Sequence, residues 1–276
     1  FSPDTLRAQV EASTGGHVTV LYDDHGYPSF MRVIPKFRYE DLGYSAEFGA
    51  GTATAFIKNG QEKSEIFIGQ YLASLYDSRA VSLPGNDPRA SITYDSALAA
   101  CTAKGPGWHL MTAHEWAAIA LWCMANGFQS RGNTDWGRAH DATHETAVRP
   151  DGGTPGDSSG TGRTAAGGGP ASWRHDGGIT GISDLVGDVW EWQHGLKFVD
   201  GQIICLADND FDLAEANWTA TGHYLSNEAG TPTLMDAAGQ AVDASLNTDW
   251  GTLAKEAGYV ESQLLQRLLI SPAGVL

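Results

Sequence analysis

In the run Gly181-Ile182-Ser183-Asp184-Leu185-Val186-Gly187-Asp188-Val189-Trp190-Glu191-Trp192, two glycines bracket a short apolar stretch and large side chains follow. Val189 to Trp192 read as a half-buried strand. Alternation sends Trp190 and Trp192 to one face and Val189 and Glu191 to the other. Two tryptophans on one face bury a large area, so this strand is expected to anchor a core. Glu191 would then face the opposite way, where burial demands partners for its carboxylate. A structural carboxylate is one reading of Glu191 and a ligand or metal carboxylate is the other.

The surrounding chain has 276 residues, enough for one large domain or two small ones. Apolar residues make up 42%, which supplies a sizeable core and argues against disorder. The formal charge of −16 repels phosphate backbones and anionic membranes, so nucleic acid is not an expected partner. No run is apolar enough to span a bilayer, so no membrane insertion is expected. Cys101, Cys123 and Cys205 are too few for a disulfide scaffold and leave one thiol unpaired in any pairing.

Upstream, Ser2-Pro3-Asp4 opens a helix with Leu6 and Val10 on one face, and Gly15-Gly16 stops it. Strands are expected at 18–22, 29–37 and 65–71, with Pro35 at an edge or a strand end. Thr93 caps a helix whose Tyr94, Ala97, Leu98 and Cys101 share a face. Thr112-Ala113-His114-Glu115 has the form of a capping box, Thr at the cap and Glu three residues on. The helix that follows carries Trp116, Ile119, Ala120 and Cys123 as a stripe and stops at Gly127. Both stripe cysteines are expected to be structural. Downstream, 196–206 reads as a hairpin turning at Asp200-Gly201, and 253–270 as a helix ended by Ser271-Pro272.

Residues 128–180 change character, and 151–169 reads DGGTPGDSSGTGRTAAGGG. Gly160-Thr161-Gly162-Arg163-Thr164-Ala165 loosely matches a dinucleotide loop, but neither strand nor helix flanks it, so a flexible surface loop is expected. His140 and His144 would share a face if helical, which suits zinc, but the segment lies between Gly-rich turns and lacks further ligands. His109 and His114 read as structural histidines beside the Thr112 cap. Asp208, Asp210 and Asp212 alternate, yet a calcium loop counted from Asp208 has Leu213 and Thr219 where Gly and Glu are required. No catalytic residue, metal ligand or cofactor is assigned.

Several blocks carry a resemblance. Residues 90–97, 108–116 (WHLMTAHEW, similar to "RLPTEAEW") and 181–192 (similar to "GxxDLxGNVWEW") resemble the formylglycine-generating-enzyme subgroup of the C-type lectin fold. Asp188 stands where that block has Asn. Residues 19–24, 28–31, 62–69, 108–122, 131–133 and 196–203 resemble, in order, the variable proteins of diversity-generating retroelements, which are phage tail-tip or bacterial surface proteins. Over most of the chain the resemblance implies an α+β, C-type lectin fold: a twisted, mostly antiparallel sheet, helices near 94–104 and 113–126, and long loops. Residues 1–70 are expected to form a strand-rich appendage, used for assembly or belonging to the main domain, and 71–276 the lectin-like domain.

The family continues into a C-terminal segment that carries its diversified ligand-binding residues. Nothing similar follows the Leu-rich stretch here, so no ligand-binding residue is carried over. Either the chain is a shortened version or its binding surface comes from elsewhere. The implied function is non-enzymatic receptor binding for host attachment, on a virion or cell surface after synthesis in a bacterial cytoplasm. The implied partners are a host-cell-surface receptor or other protein ligand, other tail proteins and further copies of the chain. The alternatives are a formylglycine-generating-type oxidoreductase, whose cysteine pair Cys101, Cys123 and Cys205 do not match, and a purely structural virion subunit.

Overall fold

The structure, a computed structural model, describes residues 3–227, 231–237 and 252–272. Its helices are α1 (Pro3–Thr14), α2 (Ser45–Phe48), α3 (Tyr94–Thr102), α4 (Ala113–Ala125) and α5 (Gln263–Arg267). Its strands are β1 (Val18–Tyr22), β2 (Pro28–Pro35), β3 (Ile57–Lys58), β4 (Gln61–Glu62), β5 (Glu65–Gly69), β6 (Ala73–Tyr76) and β7 (Arg79–Ser82), then β8 (Leu196–Val199), β9 (Gln202–Cys205), β10 (Thr219–Ser226), β11 (Thr233–Met235) and β12 (Ala254–Lys255). The class is α+β, and among the described strands pairing is antiparallel except for β11 with β12. Segments of two compact units alternate along the chain: Phe1–Pro35, Glu65–Leu110 and Trp122–Trp192 make one, and Lys36–Ser64, Met111–Leu121 and Gln193–Leu276 the other.

In the first unit β2 lies between β1 and β5. Alternation and register put Val18, Val20, Ile34, Ile66 and Ile68 on one buried face. Pro35 is the exposed last residue of β2, where its missing N–H costs no ladder bond. Helix α1 covers β1: Arg7 Nε donates to the Val20 carbonyl at 2.8 Å, and Thr19 Oγ1 to Glu11 at 2.6 Å. Gly15 and Gly16 end α1 at φ 62° and 80°, and the Gly16 amide reaches back to the Glu11 carbonyl. The expected Ser2 cap lies outside the described residues. Thr93 caps α3 as expected, accepting from the Ser96 amide.

The second unit is built on the sheet β12-β11-β10-β9-β8. Asp200 and Gly201 take φ 48° and 81°, so the expected hairpin is closed by a two-residue turn with both residues left-handed. Ile203, Leu234 and Leu265 form a fully buried cluster. At the start of α4 the capping box closes: Glu115 N donates to Thr112 Oγ1 at 3.1 Å, and Thr112 N to Glu115 Oε2 at 3.0 Å. Asn209 Nδ2 donates to the other Glu115 oxygen at 2.9 Å and to the Ala55 carbonyl, so this buried carboxylate is fully used.

His114 completes that polar core. The Tyr39 hydroxyl lies 3.2 Å from Thr54 Oγ1, Thr54 Oγ1 is 2.7 Å from His114 Nδ1, and His114 Nε2 donates to the Leu206 carbonyl at 2.9 Å. The Leu206 carbonyl can only accept, so Nε2 carries the proton; in the neutral ring Nδ1 is then the acceptor, and one tautomer is fixed. Burial pushes the imidazole down to about 4.

The C-terminal helix departs from expectation. Only Gln263–Arg267 is helical, not 253–270. Gly258 turns the chain at φ 87°, Ala254–Lys255 pair with β11, and the Ser262 side chain caps a fresh start. The leucine periodicity is real, but the turn and the strand pairing claim its first half.

Candidate recognition surface

The segment 181–192 is not a strand. Residues 189–193 have no regular structure, Trp190 is 90% exposed and Trp192 50% exposed. The tryptophan that fills the core of this unit is Trp173, with no accessible surface, packed on Ala139, Ala142 and Ala147. Its Nε1 donates to Glu145 at 3.0 Å. Adjacent Gly169 leaves room for the indole that a Cβ would take. Trp173 sits in a single 3-10 turn within an irregular stretch, so no period marks it in the sequence.

What holds 181–192 instead is a polar knot. Asn133 Nδ2 donates to Asp188 Oδ1 at 2.7 Å and to the Gly162 carbonyl at 2.8 Å, while its Oδ1 accepts from Gly137 N. Asp188 N donates to the Asn133 carbonyl at 2.8 Å. Asp188 Oδ1 also accepts from Thr164 N at 2.6 Å and Thr164 Oγ1 at 3.0 Å. Three separated segments thus meet at one carboxylate oxygen. Asp188 takes φ 62°, a left-handed conformation that Asp and Asn tolerate best after Gly. Gly132 and Gly187 permit the close approach, since a Cβ on either would strike the backbone of Val186 or Asn133.

Three carboxylates lie along this segment. Asp184 is buried, accepts from Gly167 N at 2.7 Å, and is raised above the ordinary carboxylate range by burial. Asp188 is raised for the same reason, and its Oδ2 is buried with no hydrogen bond. Solvent reaches Glu191, yet the dense surround of protein atoms about its carboxyl, and after it the charges of Asp184 and Asp188, push it up to about 7. Among the described residues no group of three or more His, Cys, Asp or Glu side chains is disposed to hold a metal ion.

The two tryptophans differ in role. Trp192 is held: its Nε1 donates to the Ile92 carbonyl at 2.9 Å, and its ring meets Tyr94 edge-on at 6.0 Å. Trp190 is presented almost wholly to solvent, with Val186 partly exposed four residues before it. An indole this exposed forfeits a large apolar burial, and it stands on a segment fixed by the knot rather than on a free tail.

The Gly-rich stretch, expected as a flexible surface loop, is gathered around one side chain. The Arg149 side chain has no accessible surface, and its guanidinium also lies over the Trp136 ring at 5.9 Å. Its guanidinium donates to Asp151, to the carbonyls of Thr154 at 3.0 Å and Asp157 at 2.6 Å, and to that of Ser159. Asp151 in turn accepts from the amides of Gly153 and Thr161, and is held far below the usual carboxylate range chiefly by Arg149. A shallow depression beside it is lined by Thr146, Val148, Arg149, Gly153, Pro155 and Gly168.

The other candidates fall apart as sites. His140 and His144 lie in turns, and His140 Nδ1 is 2.7 Å from Thr134 Oγ1. Asp210 accepts from Asn59 N and Asp212 pairs with Lys58, each at 2.5 Å, so both of these acidic side chains serve the second unit itself. Burial raises the Cys101 and Cys123 thiols to about 11 and that of Cys205 to about 12. Among the described residues no helix is long and apolar enough to cross a membrane. The sequence matches no family model and no curated protein at a significant level.

Proposed function

We propose that this chain is a non-enzymatic binding protein of the C-type lectin fold, in its formylglycine-generating-enzyme-like form, that serves a phage tail or phage-like adhesin in attachment to a host-cell surface. The observation that carries the proposal is Trp190: a nearly fully exposed indole on a segment immobilised by Asn133, Asp188 and Thr164. Rigid aromatic side chains in the open are what protein recognition surfaces use, because they bring large contact area at little entropic cost. The ordered family blocks in the sequence give the biological setting, on a virion or cell surface among other tail proteins and copies of the chain. Several copies would raise the avidity of a modest single site.

An oxidoreductase of the formylglycine-generating type would need a readily ionised thiol, and all three cysteines are shifted the other way. The test is adsorption of purified, fluorescently labelled full chain to a panel of bacterial cells. Saturable binding to at least one cell type is expected. No association with any cell surface would overturn the proposal.

A further inference from the structure

We propose that the strip Trp190-Glu191-Trp192 receives an arginine or lysine side chain from a basic segment of a partner protein. This rests on the reading of the chain as a binding protein and names the chemistry of what it binds. The exposed indole of Trp190 offers a ring face of negative potential, which attracts cations. Glu191, which follows Trp190 and precedes Trp192 in the chain, is an exposed residue and accepts no hydrogen bond among the described residues. Asp184 and Asp188 lie close enough to repel its charge.

The guanidinium groups nearby do not answer that charge. Arg163 is turned into a two-bond pair with Asp87, at 2.6 and 2.8 Å. Arg174 donates to the carbonyls of Gly181 and Gly167, both at 3.1 Å. The strip therefore combines an open aromatic surface with a carboxylate that has no counter-ion among the described residues. A purely apolar occupant would bury Glu191 uncompensated, and an anionic one would be repelled. A cationic side chain satisfies both features at once: it stacks on the indole and bonds the carboxylate. The net charge of −16 steers the same class of partner toward the chain.

The full chain is titrated at pH 8 and low salt with an acetylated peptide of alternating glycine and arginine, with tryptophan fluorescence and calorimetry as readouts. Peptides carrying glutamate or norleucine in place of arginine serve as comparisons. The arginine peptide is expected to bind and to weaken with added salt. Trp190→Ala and Glu191→Gln are each expected to weaken it at least about tenfold, as for a central contact residue. Glu65→Gln, which removes an exposed charge elsewhere in the unit, is expected to leave binding unchanged. At pH 7 binding is expected to release protons, because the cation draws Glu191 back toward its ionised form. Because Trp190 is so exposed, its replacement leaves the melting temperature intact, and loss of binding cannot be ascribed to unfolding. Absence of arginine-peptide binding, equal binding of the norleucine peptide, or undiminished binding by the two strip variants would overturn the inference. If wild-type protein adsorbs to cells while the arginine peptide fails, only the cationic chemistry is wrong. Failure of adsorption itself removes the attachment reading.

Discussion

Asn133 and Asp188 meet side chain to side chain at 2.7 Å and backbone to backbone at 2.8 Å, so the two loops they stand on are fixed to each other twice. Replacing Asp188 with alanine strips the acceptor from Asn133 Nδ2, Thr164 N and Thr164 Oγ1. It also puts an ordinary residue at φ 62°. The expected loss is about 1–3 kcal/mol for the orphaned donors and about 1 kcal/mol more for the backbone, read by denaturant unfolding. Asp188→Asn keeps one oxygen and the tolerated conformation. It also removes a charge whose second oxygen has no hydrogen bond, so it is expected to stay within about 1 kcal/mol of wild type.

The 149–162 loop depends on one guanidinium. Arg149→Ala removes every bond by which Asp151 and the Thr154, Asp157 and Ser159 carbonyls are tied together. Limited proteolysis with a non-specific protease is expected to cut within 150–162 at least about tenfold faster than in wild type, since cleavage follows the population of the opened loop. Arg149→Lys, with a point charge instead of a fork, is expected to rescue little. Equal cleavage rates in wild type and Arg149→Ala would show that the loop does not rely on this side chain.

His114 ties the stability of its unit to pH. Its imidazole is pushed down to about 4 in the folded chain, against an ordinary value of 6.5. The unfolded chain therefore takes up the proton first, and the stability His114 contributes above pH 6.5 is lost as pH falls through about 4. The loss is on the order of 3 kcal/mol at most. Thermal melts from pH 7.5 to 4.5 are expected to show it, and His114→Gln should flatten the slope while lowering stability at pH 7.5. Glu191 acts in the opposite sense. Raised to about 7, it favours the fold while protonated, and that contribution is lost as pH rises through 7.

The thiols offer a separate check. With Cys101 and Cys123 raised to about 11 and Cys205 to about 12, little thiolate exists at pH 8. A thiol-reactive chromogenic disulfide is expected to label the native chain slowly and all three cysteines rapidly in denaturant. One fast native thiol would revive the oxidoreductase alternative.

The legible parts of the sequence were those whose cause is local. The Thr93 and Thr112 caps, the Gly15-Gly16 stop and the Asp200-Gly201 turn each act within a few residues, and each forms as read. The 128–192 stretch has no such local logic. Its order comes from Asn133 and Asp188 bonding to groups distant in sequence and from Arg149 gathering carbonyls along an aperiodic loop, and composition alone makes it look slack. The same cause misled the reading of Trp190 and Trp192. Their spacing suits a strand, but the chain at 184 and 188 takes left-handed turns, at φ 61° and 62°, that break the run before Trp190. Trp173 was missed because the alanines that pack on it lie on another part of the chain.

The central claim is that the rigidly held, exposed tryptophans of 190–192 are the surface by which the chain attaches. The most direct measurement is adsorption of labelled full-length protein to cells that bind it, with wild type set against a Trp190→Ala/Trp192→Ala double variant of verified fold. The double variant is expected to lose at least about tenfold in bound protein at equal concentration. Equal adsorption by the two proteins would contradict it and move the attachment surface elsewhere on the chain.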